Sequence, residues 1–410
     1  MFLAVEDLIT ASRGARTMLT PCIAGPLPER GGRPLAEFTQ NVFGSLPRAD
    51  QRRWAGVYLC GLLNTPGRKT MKRIALQASG EADIAQALQQ FITSSPWDWR
   101  EPRAALARAA ARRLPDHAWV TGTFVSEKRG GRSVGVHRRF VPGLGATVNC
   151  QVGVGLFLAS EAEAIPVDWS LVLDGGWCDD AALRRRARIP DTVGAASAWE
   201  RAVGMADAAD ALSGEARAPL VVDLTATGDF AGVTAAMADG TREILARVRP
   251  DQPVELARRV GSPVFGAVST AEQLIGRGGA GRPRGVPARY ADGAGPLRLR
   301  SAPVHLPGAH HAVPGNAPPV YRLFALGLPD GPDEPQYWIS TLRRRDMGYV
   351  LSLMRRLRVV RSTVRVLGEG FGLTDFAGRS FPGWHHHMTM VSAAYAYSRL
   401  SPPATDRLSA

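Results

Sequence analysis

The chain has 410 residues, 45% of them hydrophobic and 21% charged. That composition belongs to a globular protein and excludes collagen, a coiled coil and extended disorder. No apolar run reaches the ~18 residues that span a bilayer, and Glu6 and Asp7 stand where a secretory leader carries positive charge, so a cytoplasmic protein with no membrane partner is expected. The net charge of +13 is unevenly spread: residues 1–150 carry 21 basic and 11 acidic side chains, residues 151–275 carry 11 and 18, and residues 276–410 carry 18 and 8. Basic flanks around an acidic middle suit a long polyanion, because neutralised phosphates release counterions.

In chain order, residues 50–113 predict helices. Trp54, Val57, Tyr58 and Leu62 keep a three-to-four spacing, as do Ile84, Leu88, Phe91 and Ile92. Three β-rich runs follow, at Ala118 to Phe124, Ser133 to Val141 and Val148 to Leu158, close enough for antiparallel pairing. The period then changes to a helix at Ala196 to Leu212, a strand at Pro219 to Leu224, a helix at Phe230 to Val248 and a strand at Pro263 to Ser269. Three strands followed by such alternation imply an α/β fold with one mixed sheet and flanking helices. Residues 276–335 are too rich in Gly and Pro to continue a helix, and read as an insertion with short strands such as Leu297 to Val304. A last helix carries Val350, Met354, Leu357, Val360, Val364, Leu367 and Phe371 on one stripe, with Arg355, Arg356, Arg358 and Arg365 largely on other faces. The expected units are a basic helical region at 1–115, a sheet core at 116–275, an irregular β insertion at 276–340 and a helical end at 341–410.

The four cysteines (Cys22, Cys60, Cys150, Cys178) lie far apart without a Cys-x-x-Cys pair, which speaks against a disulfide framework or zinc ribbon. His385-His386-His387 looks like a metal site, but neighbours on a helix point ~100° apart and cannot converge on one ion. No Walker-type loop or Gly-x-Ser-x-Gly elbow is present.

Tyr58-Leu59-Cys60-Gly61, Ser95-Pro96-Trp97-Asp98-Trp99, Ser133-Val134-Gly135-Val136, Asn149-Cys150-Gln151-Val152, Gly372-Leu373-Thr374-Asp375-Phe376, Gly378-Arg379-Ser380 and Gly383-Trp384-His385-His386-His387 follow one another along the chain. This string resembles that of bacterial insertion-sequence transposases of the DDE superfamily. The resemblance implies an RNase H-like core, an N-terminal helical DNA-binding region and a β-rich insertion. It also implies two Asp and one Glu holding two Mg²⁺ ions about 4 Å apart.

The sequence departs from that pattern at the acids. Matching the motifs puts Gly122, Leu224 and Val360 in the three acid places, and Leu367 or Gly368 where the family has a Lys. Asp223, one residue early on its strand, would point to the opposite face, and Asp229 belongs to the Gly-Asp pair that follows. These two are weak substitutes, so no metal and no cofactor are expected, and strand cleavage by the family route is not.

Three readings remain. The first is a transposase-like protein that binds double-stranded DNA without cutting it, with a second copy of the chain as a candidate partner. Its phosphate contacts would be Arg52, Arg53, Arg68, Lys69, Lys72 and Arg73 in the helical start and Arg355, Arg356 and Arg358 on the last helix. The second is the same fold refitted so that its apolar cleft takes a small-molecule ligand. The third is a transposase, active or decayed. The first is the reading the basic ends favour.

Overall fold

The computed structural model describes residues 33–80, 82–141, 144–213, 217–225, 231–257, 267–276, 282–285, 298–307, 319–327, 335–342 and 345–400. The N-terminal part is helical, as the spacing predicts: α1 (Arg33–Phe43), α2 (Ala49–Asn64), α3 (Met71–Ser79), α4 (Ala85–Thr93) and α5 (Arg100–Arg113). Thr70 caps α3 by accepting from the Arg73 N–H, and α5 buries Ala104, Leu106, Ala107 and Ala110 while Arg112 and Arg113 favourably end its dipole.

Strands β1 (Ala118–Glu127), β2 (His137–Val141), β3 (Ala146–Ala159) and β4 (Ala164–Leu171) come next. Helices α6 (Gly175–Asp179), α7 (Ala181–Ala187) and α8 (Ala198–Ser213) then lead to β5 (Leu220–Asp223), α9 (Ala231–Asp239) and β6 (Ile244–Val248). β7 (Pro253–Leu256), β8 (Val268–Thr270), α10 (Ala271–Ile275), β9 (Arg282–Gly285), β10 (Arg298–His305), β11 (Tyr321–Gly327) and β12 (Gln336–Ser340) precede the long helices α11 (Met347–Gly370) and α12 (Phe381–Leu400).

The described strands form one mixed sheet in the order β2-β3-β1-β5-β6-β12-β11-β10-β7-β8, with β4 also on β3 and β9 on β10. β1 runs antiparallel to β3 and parallel to β5, and β5 is parallel to β6, the arrangement expected of an RNase H-like sheet. The structure differs from the sequence reading in several details, among them α12, a further long helix beyond the one expected to be last. The helix expected at Phe230 to Val248 is α9 followed by a strand, because Gly240 turns with φ +65° and the apolar run Ile244-Leu245-Ala246 is drawn into the sheet beside β5. β4 was not foreseen. The β-rich insertion does not stand apart from the core: β12 pairs with β6, so β10, β11 and β12 prolong the same sheet. Residues 263–266 of the expected strand lie outside the described residues.

Two helices organise the core. α11 packs its apolar stripe across β1, β4 and β5. α12 touches β4 on one side and α2, α4 and α5 on the other, and is buried nearly all round from Phe381 to Tyr397. The helical start is therefore joined to the sheet through α12 rather than tethered beside it. No helix among the described residues is long and apolar enough to cross a membrane.

Candidate functional site

β1, β5 and α11 bring the sequence-predicted positions together. Val120 pairs with Val221 across the parallel β1–β5 ladder, so two residues further on Gly122 is level with Asp223 on the same face of the sheet. That face meets α11. A Cβ on Gly122 would stand 2.9 Å from side-chain atoms of Phe157, Val360 and Val364, so the missing side chain is what lets the helix lie close. Val360 is fully buried there. The space opposite Gly122 is thus filled by apolar side chains rather than open.

Asp223 does not point away, as alternation counted from Leu224 suggests. Arg361 on α11 donates to Asp223 Oδ2, and the Arg247 Nη1 of β6 lies 3.5 Å from the same oxygen. Oδ1 accepts from the Thr225 amide (3.0 Å) and hydroxyl (2.6 Å). Leu224 follows the end of β5, is buried, and spends its amide on the Arg247 carbonyl at 2.9 Å. Asp223 is therefore the residue on the face of Gly122 and Val360, and Leu224 is not. Burial pushes the Asp223 carboxyl up, but the two guanidinium groups and the Thr225 bonds outweigh it and hold the group below the usual carboxylate range. Arg361 and Arg247 were not foreseen; the available signal was that Arg361 follows Val360 directly and so borders the same cleft. Asp229 lies outside the described residues.

The three histidines serve three different partners. His385 Nδ1 faces Arg103 Nη2 at 3.2 Å, within a network in which Arg103 also donates to Asp168, the Trp169 carbonyl and Thr389. His386 lies between the carbonyls of Ile92 and Trp97, both at 2.8 Å, and stacks on the Trp97 ring. His387 Nε2 donates to the Gly372 carbonyl (2.9 Å) while the Tyr58 hydroxyl donates to its Nδ1 (3.1 Å). They anchor α12 to three separate segments.

The family described as DDE superfamily endonuclease matches residues 41–300, more than half of the chain. The chain belongs to this superfamily. No curated protein matches it.

In this superfamily the fold implies metal ions between β1, β5 and α11, and Gly122, Asp223 and Val360, the described residues that meet there, do not make a set of hard ligands. Mg²⁺ requires several hard oxygen ligands. Gly122 and Val360 offer none, and the carboxylate of Asp223 already serves two guanidinium groups. Among the described residues no three His, Cys, Asp or Glu side chains gather as ligands.

The basic residues divide into surface and structural groups. Arg53, Arg68, Lys72, Arg73 and Arg358 are exposed. Arg53 lies over the Trp54 ring, Arg52 is half-buried and donates to the Leu46 carbonyl, and Arg73 donates to the carbonyls of Pro66 and Arg68. Lys69 is a correction: it is 4% exposed, its ammonium donates to the Thr65 carbonyl, and its amide donates to Asp375 at 2.7 Å. Burial pushes its pKa down to about 8. Arg356 is a second correction. It stands four residues before Val360, so helical spacing puts it on the apolar stripe, where it is fully buried and pairs with Asp116 at 3.0 Å. Neither can meet a phosphate on the surface. Arg355 is mostly covered and paired with Glu161.

Proposed function

We propose that this transposase-like chain binds double-stranded DNA and does not cleave it by the two-metal route of its superfamily. The observation that carries this reading is the pairing of Asp223 with both Arg361 and Arg247, beside Gly122 and Val360. A dication entering there would have to displace two fixed positive charges from one carboxylate and would find no second one among the described residues. Removing water from charge is repaid only by well-placed partners, and these are absent for a metal. The basic flanks and the exposed Arg53, Arg68, Lys72 and Arg73 supply the attraction to phosphate.

Supercoiled plasmid incubated with the protein and Mg²⁺ or Mn²⁺ should stay uncut, while binding to duplex DNA should weaken steeply with salt, with a log–log slope of about −0.9 per phosphate neutralised. Metal-dependent nicking that disappears in Asp223→Asn would overturn the first half of the reading. Absence of duplex binding at ~50 mM salt would overturn the second.

A further inference from the structure

The segment from the end of β1 to the middle of β3, residues 127–150, carries Lys128, Arg129, Arg132, Arg138 and Arg139 against the single acid Glu127. None of its four arginines is held in an ion pair among the described residues. Among the described residues β2 closes one end of the sheet and pairs only with β3. Its inner side is satisfied, since Val141 packs with Cys150 and Val152 against half-buried Leu144 and Val148. Its outer side is different. Arg138 and Phe140 alternate outward there, opposite Asn149 and Thr147, and Phe140 is 57% exposed.

Register connects this outer side to the cleft. Along β3 the same face runs through Thr147, Asn149, Gln151, Gly153 and Gly155, and Gly155 pairs with Gly122. Thr147 and Gly155 are eight residues apart, about 26 Å along β3, with Phe140 beside the first and Gly122 beside the second. At the base of the hairpin, Lys128 donates to the Phe376 carbonyl (2.7 Å), and Lys69 of the α2–α3 turn donates its amide to Asp375. Burial, and with it the charge of the exposed Arg68 next to Lys69, lowers the Lys128 pKa, so Arg68 lies near this end of β1.

An aromatic ring left in water two residues from the outward Arg138, on a segment whose arginines make no ion pair among the described residues, suits few partners. An apolar protein surface would bury uncompensated charge, and a second copy of this chain edge to edge would oppose like charges. A single nucleic-acid strand satisfies both features, because its phosphates are anionic and each unpaired base has a π-face. A duplex keeps those faces stacked.

We propose that Phe140 is a stacking platform for an unpaired base on a single-stranded DNA segment, with its phosphates held by Arg129, Arg132 and Arg138. The proposal rests on the DNA-binding reading and extends it to strands leaving the duplex.

The test compares a blunt duplex with the same duplex carrying a single-stranded oligothymidine tail. The full chain should bind the tailed probe about tenfold more tightly, the scale of one stacked base. Phe140→Ala, at a site open to water, should keep its melting temperature and bind both probes at the blunt-duplex level. Phe140→Trp should restore the preference and show quenching beyond wild type on the tailed probe only. Equal binding of both probes by wild type, or a preference that survives Phe140→Ala, would overturn the proposal and leave the DNA-binding reading standing. Failure to bind either probe would overturn both. A change of oligomeric state in Phe140→Ala on size-exclusion chromatography would reassign the ring to self-association and overturn the proposal.

Discussion

Gly122 and Val360 are far apart in the chain, yet each constrains the other. With a Cβ on Gly122 placed 2.9 Å from Phe157, Val360 and Val364, Gly122→Ala should cost about 1–3 kcal/mol by overpacking. Val360→Ala should cost on the order of 2 kcal/mol for the methyl groups and the cavity. Made together, the two should cost less than their sum by about 0.5 kcal/mol or more, because the smaller side chain admits the new methyl. Urea unfolding of the four proteins measures this coupling, and strict additivity would mean that the two positions do not meet. Asp223 illustrates what residue counting misses. Spacing from Gly228-Asp229 serves as a ruler only if the connection after the strand keeps its length, whereas the β1–β5 ladder sets the facing side chain directly. Its contribution to stability is present above the ordinary carboxylate pKa and is lost as the pH falls through its depressed value.

α12 is the element whose chemistry depends most on pH. Burial lowers the pKa of both His386 and His387 to about 4, against the bonds to backbone carbonyls that raise them. In the unfolded chain these rings take up a proton near pH 6.5. The unfolded state therefore binds more protons than the folded state between about 6.5 and 4, so stability is full above that window and falls as the pH drops through it. For His387 the loss amounts to about 3 kcal/mol at the acid end. Thermal melts from pH 7 to pH 4 should show the decline, and His387→Gln should start less stable but decline less. A melting temperature flat across this range would contradict neutral, buried rings. The period of α11 and the antiparallel pairing of β2 with β3 were legible from apolar spacing and the turn between them, which local sequence carries, whereas three sequential hairpins would pair β1 with β2 and the structure pairs it with β3. The end of α9 was not legible, because helix and strand share the apolar composition of Phe230 to Val248 and only the neighbouring β5 decides. Arg356 differs for a related reason: its charge suggests solvent, while its place four residues before Val360 dictates burial.

Across the whole molecule, only part of the net charge of +13 is available to a partner. Reversing Arg68, Lys72 and Arg73 to Glu should weaken duplex binding across all sequences and flatten its salt dependence, with little change in melting temperature, since these side chains are exposed. Lys69→Glu should instead destabilise the fold, because it brings a second negative charge beside Asp375 in a buried setting. Binding assays paired with thermal melts separate the two classes. A melting loss in the triple reversal as large as that of Lys69→Glu would refute the division into surface and structural bases.

The burial of α12 on both sides also sets an order of events during synthesis. The helices α1 to α5 leave the ribosome about 270 residues before Phe381, which at ordinary elongation rates is about 15–50 s. Throughout that interval the apolar faces of α2, α4 and α5, and the face of β4, await a helix that has not been made. The nascent protein should therefore depend on holding chaperones until its last segment emerges. Any message truncated before codon 381 would yield a product with two exposed apolar surfaces, prone to aggregation and rapid proteolysis rather than a smaller functional protein.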